Sequence, residues 1–113
     1  MGQLIRIREM EQNLDQATAA LKQLETALNA YQAAQPSIAM LSAYLGSDDW
    51  RQDLADDERG LFPPNLKRGV LSEDAIWNLL ENNRELLEQM QNLANHLLQK
   101  TFNPTHPFPH TKK

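Results

Sequence analysis

Trp50, Asp53, Lys67, Arg68, Glu73 and Trp77 combine aromatic rings, carboxylates and cations around one connecting stretch, and they are the most site-like set in the chain. Two chemistries are open to them. They can line a ligand or enzymatic site at the loop, or they can form a structural latch in which Lys67 and Arg68 pair with nearby acids while the tryptophans pack. The latch explains the same residues with fewer assumptions. Asp53, Asp56 and Asp57 lie close on one helical turn and have the oxygen atoms that hard cations prefer. The alternating spacing and central glycine of a calcium loop are missing, so a solvated acidic turn is expected. His106 and His110 are separated by prolines that oppose a compact metal site, and His96 stands alone on its helix. No nucleophile–base set and no metal motif is visible. The four glycines form no phosphate-cradling loop. The expectation is a non-enzyme with no catalytic, cofactor or metal residues.

These residues are positioned by helices. The first helical stretch runs from Gln3 to Leu45. Ile7, Leu14, Leu21 and Leu28 repeat every seven residues, as do Met10, Ala17, Leu24, Tyr31, Ile38 and Leu45. These are the a and d positions of a coiled coil. Ala20, Ala27 and Ala34 widen the stripe beyond a strict seam. Pro36 lacks an N–H and crowds the preceding turn, so a kink is expected there. The seven-residue steps continue across it, which favours a bent helix over two unrelated ones; a break at Gln35 is the alternative. Gly46 follows the last periodic residue, where a helix ends most easily in a left-handed conformation.

Ser47-Asp48-Asp49-Trp50 has the form of a helix start, giving a short helix over 48–55 with an apolar edge at Trp50 and Leu54. Acids then gather from Asp48 to Glu58, followed by Leu61-Phe62-Pro63-Pro64-Asn65-Leu66, expected to be extended, and a basic turn at Lys67-Arg68-Gly69. Acids and bases that pair across this loop are expected to contribute little, as exposed pairs do. Ser72 is the expected N-cap of a helix over 73–99, with Leu71 and Ile76 at the two positions of a hydrophobic staple. Its seam reads Ile76, Leu80, Asn83, Leu87, Met90, Ala94 and Leu97, flanked by Leu79, Leu86 and Leu93. Large residues on this helix and small ones on the first can interdigitate. The architecture expected is all-α: a long antiparallel, coiled-coil-like helical hairpin with the short helix and extended loop between. Residues 1–100 form one helical domain, and 101–113 a proline- and histidine-containing tail. The wide apolar faces are hidden either by a second copy, giving a helical bundle dimer, or within a monomer bent at Pro36.

Composition limits function. The chain has 113 residues, net charge −4, and no cysteine. It has no disulfide or thiol chemistry, and its charge argues against nucleic-acid binding. No stretch reaches the ~20 apolar residues of a membrane span, and no secretory signal is visible at Met1-Gly2-Gln3-Leu4-Ile5-Arg6. A cytoplasmic protein is expected. Arg6-Ile7-Arg8-Glu9-Met10-Glu11, Tyr44-Leu45-Gly46-Ser47-Asp48-Asp49-Trp50, and the block from Leu66 through Lys67-Arg68-Gly69-Val70-Leu71-Ser72-Glu73-Asp74 to Trp77 together resemble the bacterial domain-of-unknown-function family 4298, over roughly Ile5 to Met90. That resemblance implies no activity and no catalytic residues. The functional expectation is a protein–protein interaction module or adaptor, with another protein or a second copy as partner. The alternatives are a site at the loop, and an acidic mimic of nucleic acid, for which a charge of −4 is modest.

Overall fold

The computed structural model describes residues 2–101; the expectations for the tail, including His106 and His110, lie outside the described residues. The described residues are all-α, with no strand among them. Helix α1 spans Gly2–Ala33, α2 spans Gln35–Tyr44, α3 spans Asp48–Glu58 and α4 spans Glu73–Thr101, with a short 3-10 helix at Gly69–Leu71. Two compact units divide between Leu41 and Ser42.

In the first unit, the expected stretch 3–45 is helical in two pieces with one turn residue, Ala34, between them. Hydrogen bonding continues through the interruption. The Ala34 N–H donates to the carbonyls of Ala30 and Tyr31, both at 3.1 Å, and the Ile38 N–H donates to Ala34 at 3.1 Å. Pro36 has no N–H to give to the turn before it, and the Gln35 side-chain amide adds a second donor to the Tyr31 carbonyl at 3.1 Å. The result is a bend rather than a break, and the apolar phase is kept. Tyr31, Gln35, Ile38 and Leu41, spaced by four and three, are all partly shielded. No residue of α1 is buried. Its a positions stand open, with Leu14 59% and Leu21 67% exposed.

The second unit is built around caps. Gly46, with φ +79°, ends α2 in the left-handed region that favours glycine. Ser47 then caps α3: its hydroxyl oxygen accepts the Trp50 N–H at 3.1 Å, and Asp48 and Asp49 occupy the first turn as expected. α3 runs to Glu58, three residues beyond the expected end. It closes in a Schellman motif, in which Gly60 (φ +74°) donates to Asp57 and Leu61 donates to Asp56. The segment after it is not extended throughout. Pro63 to Leu66 close a turn, with the Leu66 N–H donating to Pro63 at 3.1 Å, because proline at the second turn position is already set to the required φ. Ser72 has the extended backbone of an N-cap, and its carbonyl accepts the Ala75 N–H at 3.2 Å. The staple residue Ile76 is the most sequestered side chain described, only 3% exposed. Along α4, Arg84 donates to Glu81 and to Glu88, each at 2.8 Å, a pair of one-turn bridges that support the helix.

Candidate functional site

The second unit brings several polar groups together, and its local structure explains each. The Ser47 cap starts α3 so that Trp50 and Asp53 lie about one turn apart on the same side. Trp50 reaches the 3-10 helix, where its indole N–H donates to the Val70 carbonyl at 3.0 Å. This puts the ring beside the residue that precedes Leu71, as the need for an apolar anchor at the loop's return requires. Asp53 faces back toward the end of α2. The Tyr44 hydroxyl donates to Asp53 Oδ2 at 2.6 Å, a short charge-assisted bond. That bond, followed by burial and the nearby charge of Asp53 and Asp49, pushes the Tyr44 phenol up to about 12, because each opposes a second negative charge.

Arg68 is the most heavily bonded side chain of the unit. Its Nε donates to Asp57 Oδ1 at 2.7 Å. Its Nη1 donates to the carbonyls of Leu66 at 3.0 Å and Pro64 at 3.3 Å, and its Nη2 to Pro63 at 2.9 Å. One guanidinium thus ties α3 to the Pro63–Leu66 turn by donating to three of its carbonyls, that of Pro63 also accepting the Leu66 N–H. The Arg68 and Asp57 side chains are 31% and 21% exposed, so this is not the weak surface pair expected across the loop. Arg51–Asp48 at 3.4 Å and Arg59–Asp56 at 3.7 Å are looser one-turn pairs on α3.

The candidate residues do not converge on one pocket. Asp53 and Lys67 line a cleft of about 320 Å³ with Tyr44, Phe62, Leu66, Val70 and Leu71. Glu73 and Trp77 line a different one of about 380 Å³ with Leu45 and Asp74, and Trp77 is 54% exposed. Trp50 and Arg68 bond to backbone carbonyls of the loop. Tyr44 and Phe62 take part without having been singled out by spacing, and Asp57, read there only as part of an acidic turn, holds Arg68. Tyr44 and Asp53 are nine residues apart across a helix end, and no periodicity links them. Among the described residues, no three His, Cys, Asp or Glu side chains converge in a way that could hold a metal. No helix of the described residues is long and apolar enough to cross a membrane.

The model of a domain of unknown function, DUF4298, matches residues 7–93. No curated protein and no solved structure matches the chain.

Proposed function

The chain belongs to the DUF4298 family, and we propose that it serves as a protein-interaction module that presents apolar helix faces to another helix. The observation that carries this reading is the open stripe of α1. Leu14, Leu21, Leu24 and Leu28 follow the heptad pattern, yet none is buried. Exposed leucines at such spacing cost solubility and contribute little unless a partner covers them. A partner helix laid along the stripe would find anchors at each turn. Polar residues such as Gln16 and Gln23 on the other face keep the helix soluble while that stripe binds.

The cleft lined by Tyr44, Asp53, Phe62 and Lys67 supports a second reading, a small ligand-binding site, because it mixes an apolar floor with one acid and one amine. It is the weaker of the two, because the Asp53 carboxylate already accepts from the Tyr44 hydroxyl. The acidic segment favours a nucleic-acid mimic least, since Asp48, Asp56 and Asp57 each meet an arginine.

The test is retention of a bound protein by the full chain immobilised in extracts of the cells that make it. Wild type and Trp77→Ala should retain the same partner, and Leu21→Glu should lose it. Equal retention by Leu21→Glu would remove the stripe from the interface.

A further inference from the structure

We infer that the cleft between Asp53 and Lys67 takes a free α-amino acid with an apolar side chain, its ammonium at Asp53 and its carboxylate at Lys67. The inference rests on the ligand-site reading of this cleft, names the ligand, and is independent of the helix-stripe reading. Two opposite charges line one space of about 320 Å³ without neutralising each other. Lys67 is exposed and has no ion-pair or hydrogen-bond partner among the described residues. On α3, Asp48, Asp56 and Asp57 each meet an arginine, whereas Asp53 meets a hydroxyl. The Tyr44 O–H donates to Oδ2 at 2.6 Å. That bond fixes the orientation of the carboxylate, leaves its charge uncompensated, and leaves Oδ1 to accept from a ligand.

The rest of the cleft selects the ligand's other end. Phe62 and Leu71 are half-buried there, and Leu66 and Val70 keep 45% and 42% of their surface exposed, so the wall between the charges is apolar. An apolar side chain laid on that wall removes both surfaces from water. A simple anion would meet the uncompensated charge of Asp53, and a simple cation that of Lys67. A molecule carrying both charges satisfies each of them, and this mutual exclusion is what gives the cleft a preference. Peptide termini bring only one of the two charges. The volume stands at the low end of the roughly 300–1,000 Å³ of ligand sites, which suits a single amino acid.

The test titrates L-leucine into the full isotope-labelled chain and follows amide signals by NMR. Saturable shifts should appear at Asp53, Lys67 and Val70, with a Kd on the order of 1 mM for so small a ligand in an open cleft. N-acetyl-L-leucine lacks the ammonium and L-leucinamide lacks the carboxylate; each should bind at least about tenfold more weakly, the effect of losing one charged hydrogen bond. Lys67→Met, at an exposed position, keeps the fold and should weaken L-leucine at least about tenfold while leaving L-leucinamide unchanged. Asp53→Asn should weaken L-leucine and leave N-acetyl-L-leucine unchanged. Binding of either blocked compound as tight as that of L-leucine overturns the amino-acid assignment and keeps a ligand site. So does L-leucine binding that Lys67→Met does not change. No saturable shift from any of the three compounds, at concentrations well above the expected Kd, overturns both the inference and the ligand-site reading.

Discussion

Replacing Arg68 tests the loop most sharply, because the structure separates what its bonds are worth. In Arg68→Ala, the carbonyls of Pro63, Pro64 and Leu66 lose the guanidinium donors but lie in an exposed turn, where water replaces the lost bonds at little cost. Asp57 is different. It is 21% exposed, and loss of the 2.7 Å bond leaves its carboxylate without its charged partner. A hydrogen bond to a charged group contributes about 1.5–3 kcal/mol, so the expected loss is about 2 kcal/mol, nearly all from Asp57. Arg68→Lys keeps the charge but not the planar fork and should lose about 1 kcal/mol. Urea unfolding followed by tryptophan fluorescence suits the measurement, since Trp50 donates to Val70, two residues from Arg68. With a urea dependence of about 1–2 kcal/mol per molar, the Arg68→Ala midpoint should fall by about 1–2 M. A double-mutant cycle with Asp57→Asn should recover most of the loss as coupling energy. A midpoint shift worth less than about 0.5 kcal/mol, or a cycle with no coupling, would refute the reasoning.

Trp50 is partly rather than fully buried, so Trp50→Ala should destabilise by about 2–3 kcal/mol rather than the 3–5 of a fully buried ring, and Trp50→Phe by about 1 through loss of the Val70 bond, both read by thermal unfolding. The Tyr44 phenol is raised from the ordinary value near 10 to about 12, which favours its neutral form; the stability it gives through Asp53 is therefore complete below pH 10 and lost between 10 and 12. Phenolate absorbance should show one tyrosine titrating late in the wild type, and the late step should vanish in Tyr44→Phe. Gly60→Ala should cost about 1 kcal/mol in unfolding free energy, because φ +74° strains any side chain there, although no atom lies within 4 Å of the added carbon.

Much of this fold is legible in the chain because local chemistry decides it. Ser47, with two aspartates after it, has one sensible reading, and so does Gly46 at the end of a periodic run. The Leu71–Ile76 staple likewise pointed to the residue that turns out to be most buried. Pro36 announced a bend, but not that the Gln35 amide would join the Ala34 N–H on the Tyr31 carbonyl. Glu58-Arg59-Gly60-Leu61 held a readable signal, glycine followed by an apolar residue, that places the end of α3 at Glu58. The turn at Pro63 to Leu66 was hidden because paired prolines suit extended chain and turn alike. The site was legible only as a collection of residues. Arg68 bonds mostly to backbone carbonyls, which carry no side-chain pattern, and Tyr44 meets Asp53 through the angle between two helix ends. Glu73 and Trp77 are near Lys67 in sequence, yet the 3-10 helix at Gly69–Leu71 turns the chain so that they line another cleft.

Amide hydrogen exchange of α1 at high and low protein concentration addresses the interaction stripe most directly. No residue of α1 is buried, so lasting amide protection there must come from whatever covers Leu14, Leu21 and Leu28. Amides of residues 10–28 should exchange at least tenfold faster in dilute purified protein than those of α3 and the start of α4. Strong protection of α1 that persists at the lowest concentration would contradict the claim that its apolar face depends on a partner.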